Sequence, residues 1–306
     1  MTSLIERSKA IAVIGTNASG KSAAAVSLAG FFDGEIISAD SRQVYKGLDI
    51  GTGKISHEEM RRVPHHMLDL VDPGGRFSVA DFQARAYLTM DQIISRGKIP
   101  FVAGGTGLYV RAVVEGYELV DAAPDFTLRE KLERLSDSEL HGLLRQHAQK
   151  AADEIDARNR RRIIRAIEVF EKGVTYKTEH RNSPRYRFLQ LGITWPREVL
   201  RQRIESRLRK RLDEGMIEEV QNVIDSGVSL DWLNSLGLEY RYVGRFLQGE
   251  YENEDELFRE LATAIYRFAM RQLAWFRRDS SIIWLDTTGD YLGQARTLIE
   301  EFLEEP

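Results

Sequence analysis

A glycine-rich octapeptide near the start of the chain has the residue types and spacing that phosphate binding requires. Its glycines allow the backbone to curl so that successive N–H groups point at phosphate oxygens, and a following helix N-terminus adds positive charge. The motif is G-x-x-x-x-G-K-[ST], in which the lysine neutralises a terminal phosphate and the hydroxyl can ligate Mg²⁺. An ordinary glycine turn is the alternative. The residues predicted to bind phosphate are Gly15, Thr16, Asn17, Ala18, Ser19, Gly20, Lys21 and Ser22, with Ser22 as the metal ligand.

A phosphate loop does not by itself indicate ATP hydrolysis. A motor ATPase also needs a strand that ends in a pair of acidic residues. The candidate strand, residues 99–103, runs instead into Gly104-Gly-Thr-Gly-Leu-Tyr109. Its hydroxyl residue, Thr106, would lie at the mouth of a sheet, where it can contact a substrate but is no acidic metal clamp. The motor-ATPase interpretation is therefore weakened.

The acid–base candidate is Asp40, which follows the predicted strand 35–39. The carboxyl ends of neighbouring parallel strands open onto one crevice, so Asp40 should lie near the phosphate loop. A carboxylate there can act as a general base or stand behind the direct ligands of a metal. A turn-forming or helix-capping aspartate is the alternative. Nearby, Ser41 and Gln43 carry groups that can hydrogen-bond a purine edge.

These candidates need a sheet to position them, and the apolar pattern predicts one. Short apolar, β-branched runs alternate with helical patterns, which is typical of a parallel sheet covered by helices on both faces. The predicted strands are residues 10–14, 35–39, 99–103, 188–194 and 282–285, and helices are predicted over 22–32, 78–96 and most of 196–279. The expected fold class is α/β, with a P-loop NTPase-like core.

Residues 116–187 differ from the rest because they are helical in pattern, polar and charged, with no convincing strand. We interpret them as a helical insertion domain and residues 1–115 and 188–306 as the catalytic core. Residues 158–211 carry 17 Lys or Arg against 5 Asp or Glu, although the net charge of the chain is −4. This leaves a local excess of +12 and a remainder of −16. Such segregation is typical of nucleic-acid-binding proteins, although solvated Arg-rich helices also produce it.

Composition narrows the class of protein further. The 306 residues are 42% apolar and 29% charged, as expected of a globular protein. The absence of cysteine excludes disulfides, cysteine zinc sites, iron–sulfur clusters and thiol nucleophiles. No run of 18 apolar residues predicts a membrane span, and the polar residues 1–9 do not resemble a secretory signal. We expect a cytoplasmic protein that acts as a monomer.

Five sequence blocks, in order, make the chain resemble the tRNA dimethylallyltransferase (tRNA isopentenyltransferase, or IPP transferase) family. Two of these blocks are specific to this family. They are the second, which begins Asp40-Ser-Arg-Gln-Val-Tyr45 and continues to Thr52, and the fourth, Gly104-Gly-Thr-Gly-Leu-Tyr109. The others are the phosphate loop and residues 64–69 and 162–168, and residues 271–277 form a weaker sixth block.

The resemblance implies a reaction. A dimethylallyl group would pass from dimethylallyl diphosphate to the exocyclic N6 of an adenosine next to the tRNA anticodon. The phosphate loop and Mg²⁺ would hold the diphosphate leaving group, and Asp40 occupies the position of the family's general base. Thr106 and Arg207 match family residues at the reaction centre and near the diphosphate. The three residues assigned to catalysis are therefore Asp40, Thr106 and Arg207.

The same resemblance implies contacts with the anticodon stem-loop. The target base would have to leave its stack to reach the site, and the helical insertion would hold the stem. The residues expected to bind tRNA are Asp40, Ser41, Arg42, Gln43, Thr106, Arg129, Arg161, Arg162, Ile163, Ile164 and Arg165.

Three places depart from the usual family pattern. The phosphate loop has Thr16-Asn17 where Pro-Thr is usual. Glu239 stands where the family usually has a glycine before an aromatic residue. Near the end of the chain, Met270 replaces the usual lysine, and Ile265-Tyr266 replaces the usual Thr-Arg pair. A zinc-finger extension is excluded because the chain has no cysteine.

Three alternative functions remain open from the sequence. The first is a P-loop kinase acting on a small molecule or nucleotide, with residues 116–187 as its lid. The second keeps the prenyl transfer but uses a free adenine nucleotide as acceptor, which leaves the basic segment without a role. The third is a non-catalytic RNA-binding module with a relic phosphate loop.

Overall fold

The computed structural model describes residues 7–119, 124–174, 176 and 182–306. The chain divides into two compact units. Unit 1 comprises residues 1–115 and 184–306, and unit 2 comprises residues 116–183. Residues 184–187, which the sequence pattern placed in the insertion, belong to unit 1 because Tyr186 packs in a core of the sheet and the next strand begins at Arg187.

Six parallel strands form the sheet found within the described residues of unit 1. They are β1 (Lys9–Gly15), β2 (Gly34–Ser38), β3 (His65–His66), β4 (Ile99–Gly104), β5 (Arg187–Ile193) and β6 (Ile282–Trp284). Their order across the sheet is β3-β2-β4-β1-β5-β6. All five predicted strands are confirmed, and the two-residue β3 extends the sheet beyond β2.

The helices follow the predicted alternation. In chain order they are α1 (Lys21–Phe31), α2 (Val79–Ser95), α3 (Gly107–Arg111, continuing into the π-helical turn Ala112–Gly116), α4 (Phe126–Glu133), α5 (Asp137–His147), α6 (Gln149–Glu154), α7 (Arg160–Glu171), α8 (Arg197–Asp213), α9 (Met216–Asp225), α10 (Leu230–Leu236), α11 (Leu238–Leu247), α12 (Glu254–Phe276) and α13 (Tyr291–Glu304). Helix α2 begins with a capping box, in which Ser78 and Asp81 each accept a hydrogen bond from the other's backbone N–H.

Strand β1 is the centre of the fold because its side chains alternate between the two faces of the sheet. Ala10, Ala12 and Ile14 pack with residues of α2, α3 and α12 on one face. Ile11 and Val13 pack with residues of α1 and α13 on the other. Because both faces are buried, the strand is apolar throughout, as its sequence indicates.

The registers of the strands align the carboxyl ends of β1, β2, β4 and β5 at one edge of the sheet. Ile14 of β1 pairs with Gly104 of β4, and Gly15 pairs with Ile193 of β5. On the other side of β4, Ser38 of β2 pairs with Ala103. The loops that leave β1, β2 and β4 therefore start at one edge of the sheet, where an α/β protein forms its crevice.

A second layer of unit 1 consists of α8 to α12, which share an apolar core that includes Leu208, Tyr240 and Leu261. Met270, one of the departures from the family pattern, is partly buried against this core. The core fixes the helices whose polar residues point towards the sheet edge. No helix in the described part of the chain is both long enough and apolar enough to cross a membrane.

Unit 2 contains α4 to α7, packed around Leu132, Leu140, Leu144, Ile163 and Ile167. Helix α7 is amphipathic, with Ile163, Ile164, Ala166 and Ile167 in this core and its arginines on the remaining surface. The described residues of this unit contain no strand longer than one isolated bridge, Tyr117 with Asn182, so the predicted helical character is observed there.

Candidate active site

The phosphate loop connects β1 to α1, as the motif predicts. A Cβ on Gly15 would lie 2.6 Å from the Ile193 carbonyl oxygen, so only glycine allows β5 to approach this closely. Gly20 adopts φ 87°, a left-handed conformation that favours glycine, immediately before α1 starts at Lys21. The two motif glycines thus have separate tasks, one in strand packing and one in the turn.

Side chains of the helical layer hold the outer side of this loop. The Trp195 indole Nε1–H donates to the Ser19 carbonyl at 2.8 Å, and Arg203 Nε donates to the Ala18 carbonyl at 2.9 Å. The Arg203 guanidinium also lies over the Trp195 ring, 4.8 Å from its centroid. Because these contacts engage carbonyls, they position the loop without occupying N–H groups that could bind phosphate.

Gln272 of α12 joins the phosphate loop to the glycine loop after β4. Its Oε1 accepts from the Asn17 N–H at 3.0 Å, and its Nε2 donates to the Gly105 carbonyl at 2.8 Å. The adjacent Thr106 accepts from the Ser41 N–H through Oγ1 at 3.1 Å. The loops after β1, β4 and β2 are therefore tied to one another by side-chain hydrogen bonds.

Asp40 lies at this junction and is 9% exposed. Its Oδ1 accepts from the Arg42 N–H at 2.9 Å and lies 3.5 Å from Arg42 Nε. Burial alone would raise the pKa of Asp40, but the charge and hydrogen bonds of Arg42 and the charge of Lys21 hold it below its ordinary value. The carboxylate is therefore ionised at neutral pH, as a general base must be.

Lys21 lies beside the same cleft and donates to the Thr16 carbonyl at 3.3 Å. Burial and the positive charge of Arg207 lower its pKa to about 8, although Asp40 partly offsets this effect. Near pH 7 most of the lysine is still protonated. A lysine surrounded by cations is a favourable site for an anion, because a bound anion relieves the repulsion.

Three arginines line the cleft with these residues: Arg42, Arg207 and Arg211. Arg207 Nη2 lies 3.3 Å from the Gly53 carbonyl oxygen, and Arg211 Nη1 lies 3.4 Å from that of Gly51. A Cβ on Gly53 would overlap the guanidinium of Arg211, so the loop is built around these arginines. The cleft thus gathers strong positive charge opposite the phosphate loop.

The lining of the cleft is not made of charged and polar residues alone. Apolar side chains also line it, namely Ile36, Ile55, Ile204, Leu208 and Ile265. The site can therefore accept a ligand with an anionic part at the phosphate loop and a short hydrocarbon part beside it.

Gln43 also lines the cleft, but both ends of its amide already have partners. Its Oε1 accepts from the Ser38 hydroxyl at 2.8 Å, and its Nε2 donates to the Gly53 carbonyl at 3.2 Å. His65 is a further lining residue, and burial lowers its pKa. Its Nδ1 is 2.8 Å from the Val63 carbonyl oxygen, which accepts its N–H in the neutral ring.

In unit 2, the buried carboxylate of Glu168 organises two arginines expected to bind tRNA. Arg129 donates to both carboxylate oxygens at 2.9 Å, and Arg165 Nη1 donates to Oε2 at 2.5 Å. Burial would raise the pKa of Glu168, but its hydrogen bonds with Arg129 and Arg165 lower it below the ordinary value. The two guanidiniums are thus held next to each other.

The remaining candidates of α7 separate into two groups. Arg161 and Arg162 are exposed, whereas Ile163 and Ile164 are 0% and 3% exposed and belong to the core of unit 2. The two isoleucine side chains are therefore not available at the surface, because the amphipathic period of α7 turns them inward. They hold the helix that carries the arginines.

The residues that were not predicted as part of the site include Trp195, Arg203, Arg211, Glu239 and Gln272. Arg211 belongs to the basic segment and Gln272 to the weaker sixth block, but nothing local distinguishes either from its neighbours. Glu239 had a signal, since it replaces a usual glycine, yet its position in the cleft depends on the packing of α11.

The fold and the site together define a class. A parallel sheet with a phosphate loop after its central strand, a buried ionised carboxylate and a cluster of cations at the same edge is the arrangement of a P-loop-type α/β enzyme. The chain belongs to the IPP transferase family, whose model matches residues 43–279. The resemblance inferred from the sequence blocks is confirmed.

Similarity to individual relatives extends over almost the whole chain. It is 45% identical to tRNA dimethylallyltransferase 2 of Shewanella sediminis over 289 residues, which cover 93% of this chain and 95% of that protein. It is 43% identical to tRNA dimethylallyltransferase 2 of Trichlorobacter lovleyi over 296 residues, covering 95% and 96%. Among solved structures, the tRNA isopentenylpyrophosphate transferase of Bacillus halodurans has a TM-score of 0.73 and 36% identity, covering 98% of this chain and 97% of that one.

Proposed function

We propose that the protein transfers a dimethylallyl group from dimethylallyl diphosphate to N6 of the adenosine adjacent to the anticodon in tRNA. Family membership supports this class of reaction, and the two named relatives are both called tRNA dimethylallyltransferases. The observation that carries the proposal is that one cleft is lined by residues of the phosphate loop, by an ionised buried carboxylate and by apolar side chains.

The phosphate loop and its cations would hold the diphosphate of the donor. As the bond between the prenyl carbon and oxygen breaks, its electron pair leaves with the diphosphate. Lys21 and Arg207, which both line the cleft, would stabilise that developing charge. The isoleucines that line the cleft would receive the five-carbon chain and exclude water from it.

Mg²⁺ fits the residues present. The hydroxyl of Ser22 lines the cleft beside the phosphate loop, and Mg²⁺ is commonly held by one or two protein oxygens together with phosphate oxygens and waters. Within the described residues, no group of three His, Asp or Glu side chains could hold a metal without such help. Bound to the diphosphate, Mg²⁺ would supply further neutralisation of the leaving group.

Asp40 would act on the acceptor. The exocyclic amine of adenosine is a poor nucleophile because its lone pair is delocalised into the ring. As N6 forms its bond to the prenyl carbon, its proton would pass to the Asp40 carboxylate. The lowered pKa of Asp40 keeps this carboxylate ready to accept a proton at neutral pH. Thr106, through its bond with the Ser41 N–H, would fix the loop that carries the base.

Arginines would account for recognition of the RNA. Arg161 and Arg162 on α7 are exposed, and Arg129 and Arg165 are held by Glu168. Guanidinium groups suit the phosphates and unstacked bases of an anticodon loop. We propose that these residues bind the anticodon stem-loop and that the target adenosine flips out of its stack to reach Asp40. The loop residues Ser41, Arg42 and Gln43 would lie beside the flipped base.

The test is prenylation of unmodified tRNA. The purified protein is incubated with tRNA, dimethylallyl diphosphate and Mg²⁺, and the nucleosides are analysed by mass spectrometry. We expect one isopentenyl group on the adenosine next to the anticodon. Phosphoryl transfer from ATP without prenylation would support the kinase alternative, and prenylation of free adenine nucleotide alone would support the second alternative.

Asp40→Asn separates the chemistry from RNA binding. Loss of the base should lower the turnover number by about 10²–10⁴-fold, while affinity for tRNA stays within about threefold of the wild type. The matched control is Asp33→Asn, because Asp33 lies on the surface in an ion pair with Lys98. Wild-type turnover in Asp40→Asn would show that the base has been misassigned.

A further inference from the structure

The carboxylate of Glu239 is buried in the cleft, yet the proposed reaction assigns it no role. It lies in the first turn of α11 and is 1% exposed, yet it lines the same cleft as the phosphate loop. Gly237, just before α11, leaves room for its partner, because a Cβ there would lie 2.9 Å from Arg42 Cδ. The backbone before α11 is thus shaped to bring Arg42 and Glu239 together.

Glu239 is shared by two arginines that come from different parts of unit 1. Arg42 Nη1 donates to Oε2 at 2.7 Å, and Arg211 Nη1 donates to Oε1 at 3.3 Å. The side chains of Arg42 and Arg211 are only 12% and 11% exposed, so these pairs are shielded from solvent. Removing one partner of a buried pair leaves an uncompensated charge, so this arrangement is costly to disturb.

Arg42 is divided between two carboxylates, and the division is unequal. Its terminal Nη1 lies 2.7 Å from Glu239, whereas its Nε lies 3.5 Å from Asp40 Oδ1. The backbone N–H of Arg42 also donates to Asp40 Oδ1, at 2.9 Å. A guanidinium with no competing anion would pair with both oxygens of a carboxylate in the usual bidentate geometry.

The overall charge of the cleft also indicates that Glu239 keeps Arg42 away from Asp40. Four cations, Lys21, Arg42, Arg207 and Arg211, line it with two carboxylates, Asp40 and Glu239. If Glu239 were neutral, Asp40 would be the remaining anion of this group. The nearest cations would then be drawn onto the group that has to accept the substrate proton.

We propose that Glu239 is a positioning residue for the transfer reaction, which holds Arg42 and Arg211 so that Arg42 does not close onto Asp40. This inference rests on the proposed function, because it assigns Asp40 as the base. Glu239 acts through the arginines and does not touch the reacting atoms. Its removal should therefore affect the rate of the chemical step more than the binding of the donor.

The test compares Glu239→Gln, Glu239→Asp and the wild type in steady-state prenylation of tRNA. For Glu239→Gln we expect the turnover number to fall about 10–100-fold while the KM for dimethylallyl diphosphate stays within about threefold. Glu239→Asp keeps the charge on a shorter side chain, and we expect it to recover turnover to within about fivefold of the wild type. Because this variant retains the anion, it also keeps the test valid if the glutamine variant does not fold.

The matched control is Glu250→Gln, since Glu250 pairs with Arg245 on the solvent side of α11 and is 44% exposed. It should match the wild type within twofold. The proposal is overturned if Glu239→Gln turns over like the wild type, if its donor KM rises in step with the loss of turnover, or if Glu239→Asp is as impaired as a folded Glu239→Gln. A wild-type protein that does not prenylate tRNA would instead overturn the proposed function.

Discussion

Replacing Lys21 by methionine should stabilise the ligand-free protein at neutral pH while it abolishes prenyl transfer. The lysine ammonium lies in a cleft with Arg42, Arg207 and Arg211, and only Asp40 and Glu239 oppose this charge there. Burial, followed by the charge of Arg207, lowers its pKa from 10.5 to about 8. Methionine has a similar length but no charge, so it removes this unfavourable energy along with the proposed contact to the diphosphate.

The size of the effect follows from the pKa. One pKa unit corresponds to about 1.4 kcal/mol, so the shift from 10.5 to about 8 corresponds to roughly 3 kcal/mol near pH 7. Lys21 keeps some exposure to solvent, which reduces this value, and the variant loses the hydrogen bond to the Thr16 carbonyl, worth about 1 kcal/mol. We therefore expect the free energy of unfolding to rise by about 1–2 kcal/mol.

The pH dependence has a definite sign. Between pH 8 and pH 10.5 the unfolded chain keeps the Lys21 proton while the folded protein has released it. The stability of the wild type, as far as it depends on Lys21, therefore rises with pH across this window. The methionine variant has no such group, so its advantage over the wild type should shrink from near pH 7 to near pH 10.

Urea unfolding monitored by tryptophan fluorescence provides the measurement. All 4 tryptophans belong to unit 1, so the signal reports the unit that contains Lys21. The buffer should contain EDTA and no phosphate, because a bound anion would stabilise the wild type. Lys98→Met is the control, since Lys98 forms an ion pair with the exposed Asp33. A Lys21→Met protein that is less stable than the wild type near pH 7, or whose advantage does not change with pH, would refute the reasoning.

Two further predictions concern stability. Ser78→Ala removes the hydroxyl that accepts from the Asp81 N–H at the start of α2, and it should lower the free energy of unfolding by about 1 kcal/mol in the same urea assay. Glu168→Gln should destabilise unit 2 by about 2–4 kcal/mol, seen as faster proteolysis within residues 116–183, because Arg129 and Arg165 lose a buried anion. The pKa of Glu168 is lowered by folding, so its contribution is present above the ordinary glutamate pKa and is lost as the pH falls below it.

Matched variants control for these two effects. Ser95→Ala removes a hydroxyl at the other end of α2 that donates to the Gln92 carbonyl, and it should change stability by less than about 0.5 kcal/mol. An equal loss in both serine variants would contradict the capping role of Ser78. Asp137→Asn breaks an exposed pair with Arg160 and should leave proteolysis of unit 2 nearly unchanged. Equal sensitivity of Asp137→Asn and Glu168→Gln would contradict the special role of the buried carboxylate.

The features that could be predicted from the sequence are those that depend on neighbouring residues. Residues 10–14 are all apolar, which is typical of a strand buried on both faces of a sheet. Strand β1 can therefore be predicted from its own residues, without knowledge of its neighbours in the fold. The capping box of α2 involves residues three positions apart, and the phosphate loop is eight consecutive residues. The family could be identified for the same reason, because its most specific blocks are short and contiguous.

The amphipathic helix α7 marks the limit of this reasoning. Residues 161–165 were assigned to RNA binding as one unit, so Ile163 and Ile164 were expected to bind RNA together with the arginines. The helical period instead buries the two isoleucines and leaves Arg161 and Arg162 exposed. A sequence match can show that a block of residues has a role. Only the burial of each side chain shows which residues of the block can carry out that role.

By itself, the sequence determined the α/β fold, the phosphate loop, the position of Asp40 at the end of a strand and the family. The tertiary structure decided how the charge of the cleft is arranged. Arg42 and Glu239 are 197 residues apart, and Asn17 and Gln272 are 255 apart. No local pattern links such pairs, because their meeting depends on how the shared core of α8 to α12 packs those helices against the carboxyl edge of the sheet. Glu239 was visible in the sequence as an unusual residue, but only packing makes it the partner of two arginines beside Asp40.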